Sequence, residues 1–234
     1  MRRGLRALVR ASAAQAARDR EGLERELHAV AAVVEDGELE AVAVEEALVQ
    51  SYLFLGYPAA LEALGTWRRV SGHPPPEPRG GESVFWNERG AVVCRRVYGD
   101  QVEALRRNIA GLHPDMARWM VEEGYGKVLG RDGLDLGERE VLISTLLAVQ
   151  DAPRQLHSHL RGALRNGVAP TVVEQLLEEA EGWIPDAEVR ARVRETWKVV
   201  REGRRSSGRG PSISPACGAG NQGQREEDEC SSTR

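Results

Sequence analysis

The sequence is poor in cysteine, in long apolar runs and in surplus positive charge. Its three cysteines, Cys94, Cys217 and Cys230, are an odd number set far apart, with no Cys-x-x-Cys among them. That excludes a disulfide framework and any thiolate metal spacing, and it makes a reducing cytoplasm the expected compartment. No stretch approaches the roughly 18 apolar residues that cross a bilayer, and no secretory h-region is present, so no membrane partner is expected. With 36 acidic and 32 basic side chains the net charge is −4, which does not suit nucleic acid as the main partner. What is there is ordinary: 41% hydrophobic and 29% charged residues in a chain of 234, enough for one large domain or two small ones.

The first twenty residues, MRRGLRALVRASAAQAARDR, are rich in Arg and Ala and lack an acid before Asp19. The composition is that of a transit peptide, but Leu5, Leu8, Val9, Ala13 and Ala16 also recur at helical spacing and fit a first structural helix. Residues 3–70 read as helices throughout, with Asp19 as an N-cap, a stop at Gly37 and Pro58 in a first turn. GHPPPEPRGGE, 72–82, reads as a linker, and SVFWNERGAVVCRRVYG, 83–99, as a short hairpin or extended segment on its β-branched and aromatic content. Further helices are expected at about 100–111, 114–128, 135–150, 153–166, 169–181 and 186–202. Residues 203–234, Gly, Ser and charge with almost no aliphatics, are expected to be a disordered tail. The fold class is therefore all-α. A weak repeat relates VEEALVQ at 44–50 to VVEQLLEE at 172–179, each followed by a Trp, Trp67 and Trp197. Chance likeness between amphipathic helices accounts for it equally well.

The helix LDLGEREVLISTLLAVQ carries an acid on an apolar stripe: Leu136, Glu140, Ile143, Leu147 and Gln150 share one face. Glu138 and Arg139 point elsewhere and are expected to be solvated. Burial of a carboxylate is costly unless it is paired, and desolvation raises its pKa towards the range of a general acid or base. The plainer reading is a structural ion pair with Arg161 or Arg165. In the next helix Ala152, Gln155, His159, Gly162, Ala163 and Asn166 share a flank, so His159 faces small residues. His157, two positions away, points about 200° off and cannot share a metal ion with it. A short connection makes the two helices antiparallel neighbours and lets Glu140 meet His159. No metal site is expected.

ERE, an apolar helix and then QLHSHLRGALRNGVAPTVVEQLLEE resemble the carboxymuconolactone decarboxylase family, which shares its all-α fold with the alkylhydroperoxidase D-like proteins. Glu140, His159, Gly162-Ala163, Gly167 and Glu174 carry the likeness, over about residues 100–182. The N-terminal helices resemble the closing helices of the same domain, including the turn from Gly56 to Pro58, without a counterpart of the Glu and His. The resemblance implies a tandem: a degenerate unit at 1–71, a linker or extended segment at 72–97, and the family-like domain at 98–202. Peroxidatic members carry a Cys-x-x-Cys where this chain has Ala152 and Gln155. Peroxiredoxin-like antioxidant activity is thereby disfavoured, leaving only the isolated Cys94 for redox work.

The resemblance further implies cofactor-independent decarboxylation or proton transfer on a small organic acid or lactone. In that reading His159 is the acid/base, Glu140 orients it, and Arg161 or Arg154 holds a substrate carboxylate. Both arginines also read as plain surface charges. The rival to an enzyme is a ligand-binding or scaffold protein of the same fold. Homo-oligomerisation is expected from the fold, and a fused tandem would give a trimer of two-domain chains.

Overall fold

The computed structural model describes residues 1–77 and 85–207, the side chains of 205–207 excepted. Residues 78–84 of the expected linker and 208–234 of the expected tail lie outside it. Among the described residues all regular structure is helical, and no helix is long and apolar enough to cross a membrane.

The chain opens with α1 (Arg3–Ala16) and α2 (Arg20–Glu35), the latter capped where the Asp19 carboxylate accepts from the Gly22 N–H. Next come α3 (Ala41–Gln50), the single turn α4 (Tyr52–Leu55) and α5 (Tyr57–Ser71), which starts with Pro58 in its first turn. The stretch expected as a hairpin is instead the helix α6 (Trp86–Tyr98). Val93, Cys94 and Val97 bury one face of it, and Gly90 lets its backbone press on a neighbouring helix. Tertiary packing of that face outweighs the strand preference of its valines.

A 3-10 turn, Gly99–Gln101, leads into α7 (Val102–Leu112). Then α8 (Pro114–Trp119) widens into a π-helical segment, Met120–Leu129. The last four helices are α9 (Leu136–Val149), α10 (Pro153–Arg165), α11 (Pro170–Glu181) and α12 (Ala187–Ser207), the last running beyond the expected end at 202. A reciprocal capping box of Asp135 and Glu138 starts α9.

Of the 14 residues of α9, 12 are buried, as befits a helix apolar on nearly every side. It packs on α10, α1 and α11, while α1 packs on α2 as well. In the same manner α2 lies on α5 and α10 lies on α12. Helices from residues 1–71 and from 98–202 contribute to one contiguous apolar core, so the Pro-rich stretch interrupts the path of the chain without dividing that core.

One polar cluster ties the two parts together. Arg139, expected at the solvent, is fully buried; its guanidinium donates to Glu46 of α3 at 3.0 Å, to Gln50 at 3.2 Å and to the Arg131 carbonyl at 2.8 Å. Arg131 binds the same Glu46 carboxylate through Nη2 at 2.8 Å. Burial draws the pKa of Arg139 down, and Glu46 opposes that shift.

Candidate functional site

Glu140 sits in the second turn of α9 and His159 midway along α10. The turn between the helices is made at Asp151, which adopts φ 52°. The helices run antiparallel, and Nδ1 of His159 lies 2.9 Å from Oε2 of Glu140. Glu140 is fully buried and His159 is 6% exposed. Gly162, one turn beyond His159, makes the room: a Cβ there would stand 2.4 Å from Glu140 Oε2 and 2.9 Å from Val97 Cγ1. The small residues beside the histidine thus accommodate the carboxylate itself.

Oε1 of Glu140 is buried and accepts no hydrogen bond among the described residues, and the Ser144 hydroxyl one turn on is equally unpartnered. Buried polar atoms are nearly always satisfied, so this carboxylate is an exception of the kind found where a group has chemical work. Around the imidazole stand aromatic edges. Phe54 lies at 5.7 Å between ring centroids, and Tyr98 at 6.5 Å. The Tyr98 hydroxyl shares a 2.7 Å hydrogen bond with that of Tyr125. Burial raises the pKa of both phenols, and the Glu140 charge adds to the rise, so both are neutral at physiological pH.

This arrangement can hold one proton between a carboxylate and an imidazole in a water-poor setting. With Glu140 on Nδ1, Nε2 is left to take or give a proton. The ion pair of Glu140 with Arg161 or Arg165, weighed as the plainer alternative, does not form. Those arginines line a cavity of about 200 Å³ together with Tyr98, Gln101, Asn108 and Ser158. Arg154, the other candidate for a substrate carboxylate, lies in a separate groove with His157, Arg192 and Glu195, which shares no residue with that cavity. His157 is half-buried there, its pKa drawn down by burial and then by the Arg161 charge. Among the described residues no cluster of three His, Cys, Asp or Glu side chains could hold a metal ion.

Tyr98, Tyr125 and Phe54 escape sequence reasoning. Tyr98 closes the stretch misread as a hairpin, Tyr125 lies near the end of the helix expected at 114–128 but in its π-helical part, and Phe54 comes from the distant α4. A helical reading of 86–98 would have set Tyr98 one turn after Cys94 on its buried face.

Comparison with known proteins fits this picture. Residues 114–194, which include both Glu140 and His159, match the carboxymuconolactone decarboxylase family. Peroxisomal protein 2 of Schizosaccharomyces pombe is 29% identical over 130 residues, covering 53% of this chain and 60% of that protein. The matched part therefore spans about three-fifths of that relative's length.

Proposed function

We propose that this chain, which carries a carboxymuconolactone decarboxylase family segment over residues 114–194, catalyses decarboxylation or proton transfer on a small organic acid or lactone without an organic cofactor. The observation that carries the reading is the buried contact of His159 Nδ1 with Glu140 Oε2 at 2.9 Å. In a β,γ-unsaturated acid the bond to the carboxylate carbon breaks, CO₂ leaves, and the electron pair passes into the conjugated system as a dienolate. The His159 imidazolium then gives its proton to the γ-carbon, and solvent restores that proton. Glu140 stabilises the imidazolium and fixes the ring.

The test is turnover of a β,γ-unsaturated lactone acid in D₂O, where one deuterium should enter at the γ-carbon. Glu140→Gln and His159→Asn should each lower kcat by ~10²–10⁴-fold with an unchanged helical circular dichroism spectrum. Variants that match the wild-type rate would overturn the assignment.

A second reading has an observation of its own. Tyr98 is on the cavity wall but His159 is not, an arrangement that also suits a ligand-binding protein without turnover. Redox work through Cys94 has less support, because that thiol is buried and burial pushes its pKa up to about 12. The like order of contact, α1 on α2 on α5 and α9 on α10 on α12, supports a tandem origin. The exposed Leu112, Met116 and Trp119 offer a face for a homo-oligomer such as a trimer. The cysteine pattern supports a cytoplasmic site, whereas the matched relative is named peroxisomal.

A further inference from the structure

We infer that the cavity between α7 and α10 is an anion site, built to hold the carboxylate of a small organic acid between Arg161 and Arg165. This rests on the acid/base reading of Glu140 and His159 for its place in a reaction, though not for its chemistry. Arg161 and Arg165 stand four residues apart on α10, and both line the cavity. Like charges at that spacing repel on a helix. Neither has an acidic partner among the described residues, and no acid lines the cavity. Other arginine-bearing grooves differ. Glu195 accompanies Arg154 and Arg192 in one, and Glu26 accompanies Arg10 and Arg25 in another. A concave site with two cations and no anion, in a chain of net charge −4, is not a by-product of overall charge.

The remaining walls suit the same ligand. Gln101, Asn108 and Ser158 supply neutral hydrogen-bonding groups, and Tyr98 leads towards the His159 ring. Gly99 at φ 58° is the seat of Arg165: a Cβ there would stand 2.0 Å from its Nη1. The positive φ favours glycine at this position, and a side chain there would displace the Arg165 guanidinium. The outer wall, α7, buries none of its residues although Val102, Leu105 and Ile109 form an apolar stripe. The volume of about 200 Å³ has room for a small acid. A planar guanidinium binds a carboxylate through two parallel N–H donors, and two such groups at one mouth favour a charged ligand over its amide.

The experiment is calorimetric titration of the full chain with succinate, with succinamide as the neutral control, at low and moderate salt. Succinate should bind saturably and more weakly as salt rises, and succinamide should not bind. Arg161→Gln and Arg165→Gln should each weaken succinate at least ~10-fold, while Arg154→Gln, in the separate groove, should bind as the wild type does. Absence of saturable binding, equal binding of the amide, or an unaltered Kd in the Arg161→Gln/Arg165→Gln double variant would overturn the site. The two readings fail separately. Arginine-dependent binding without turnover of any lactone acid would sink the catalytic reading alone. Turnover with a KM that ignores both arginines would sink the anion site alone.

Discussion

Gly162 is the residue on which the geometry of the Glu140–His159 pair turns. Its missing side chain is the space that the Glu140 carboxylate occupies. Gly162→Ala should drive Oε2 away from Nδ1 and cost about 1–3 kcal/mol of stability through overpacking. The imidazole ¹⁵N shifts report which ring nitrogen carries the proton. In the wild type they should show Nδ1–H held by Glu140, and in Gly162→Ala a mixture of tautomers. An unaltered spectrum would mean that the alanine is absorbed elsewhere and that the glycine does not set the pair. Cys94 makes the opposite case, a chemically capable group silenced by its surroundings. With its pKa pushed up to about 12 by burial, it is a thiol at neutral pH. Four units below that value the thiolate fraction is on the order of 10⁻⁴. The native chain at pH 8 should therefore leave Cys94 unmodified by a thiol-specific disulfide reagent over minutes, and mass mapping should find it labelled in denaturant. Rapid native labelling at Cys94 would return the redox reading to contention.

Among the elements, α6 and the π-helical segment show why part of the fold is legible and part is not. The starts of α9, α10 and α11 are written locally, in Asp135 with Glu138, in Pro153 and in Pro170. The antiparallel placement that joins Glu140 to His159 follows from the short connection alone. The helical state of 86–98 is not local. Gly90 stands so close to the π-helical backbone that a Cβ would lie 2.0 Å from the Val121 carbonyl oxygen. A Cβ on Gly126 would lie 2.0 Å from that of Trp86. Two glycines 36 positions apart thus serve one crossing, and nothing near either in sequence announces the other. Arg139 is missed for the same reason: its anion, Glu46, lies 93 residues away. Gly90→Ala and Gly126→Ala should each part the two helices, because backbone cannot yield as a flexible side chain does. Near-UV dichroism and the thermal midpoint should both fall, and Tyr98, which α6 carries to the His159 ring, should move with them. A Gly126→Ala chain that melts as the wild type does would mean that the crossing is not close-packed in solution.

The whole molecule is held by a core to which both parts of the chain contribute, and the Glu46–Arg139–Arg131 cluster lies across their junction. Glu46 is the shared anion of two guanidiniums, one of them wholly without solvent. Glu46→Met leaves Arg139 buried and unpaired, a change that costs about 3–5 kcal/mol. For a chain of this size the midpoint should fall by on the order of 10 °C. Removing the charge as well, in Glu46→Met/Arg139→Met, should lose less than Glu46→Met alone, because an apolar pair does not bear the desolvation of a lone guanidinium. Arg131 keeps part of that loss, since it remains without its carboxylate but can turn to water. The form of the transition matters as much as its midpoint. If α1 and α9 belong to one cooperative core, amide exchange in α2 and in α11 should quicken together in Glu46→Met, and calorimetry should show a single peak. Two peaks, with α2 exchanging freely while α11 stays protected, would mean that residues 1–71 unfold on their own. The apparent continuity of the core would then be contact between two separately stable units.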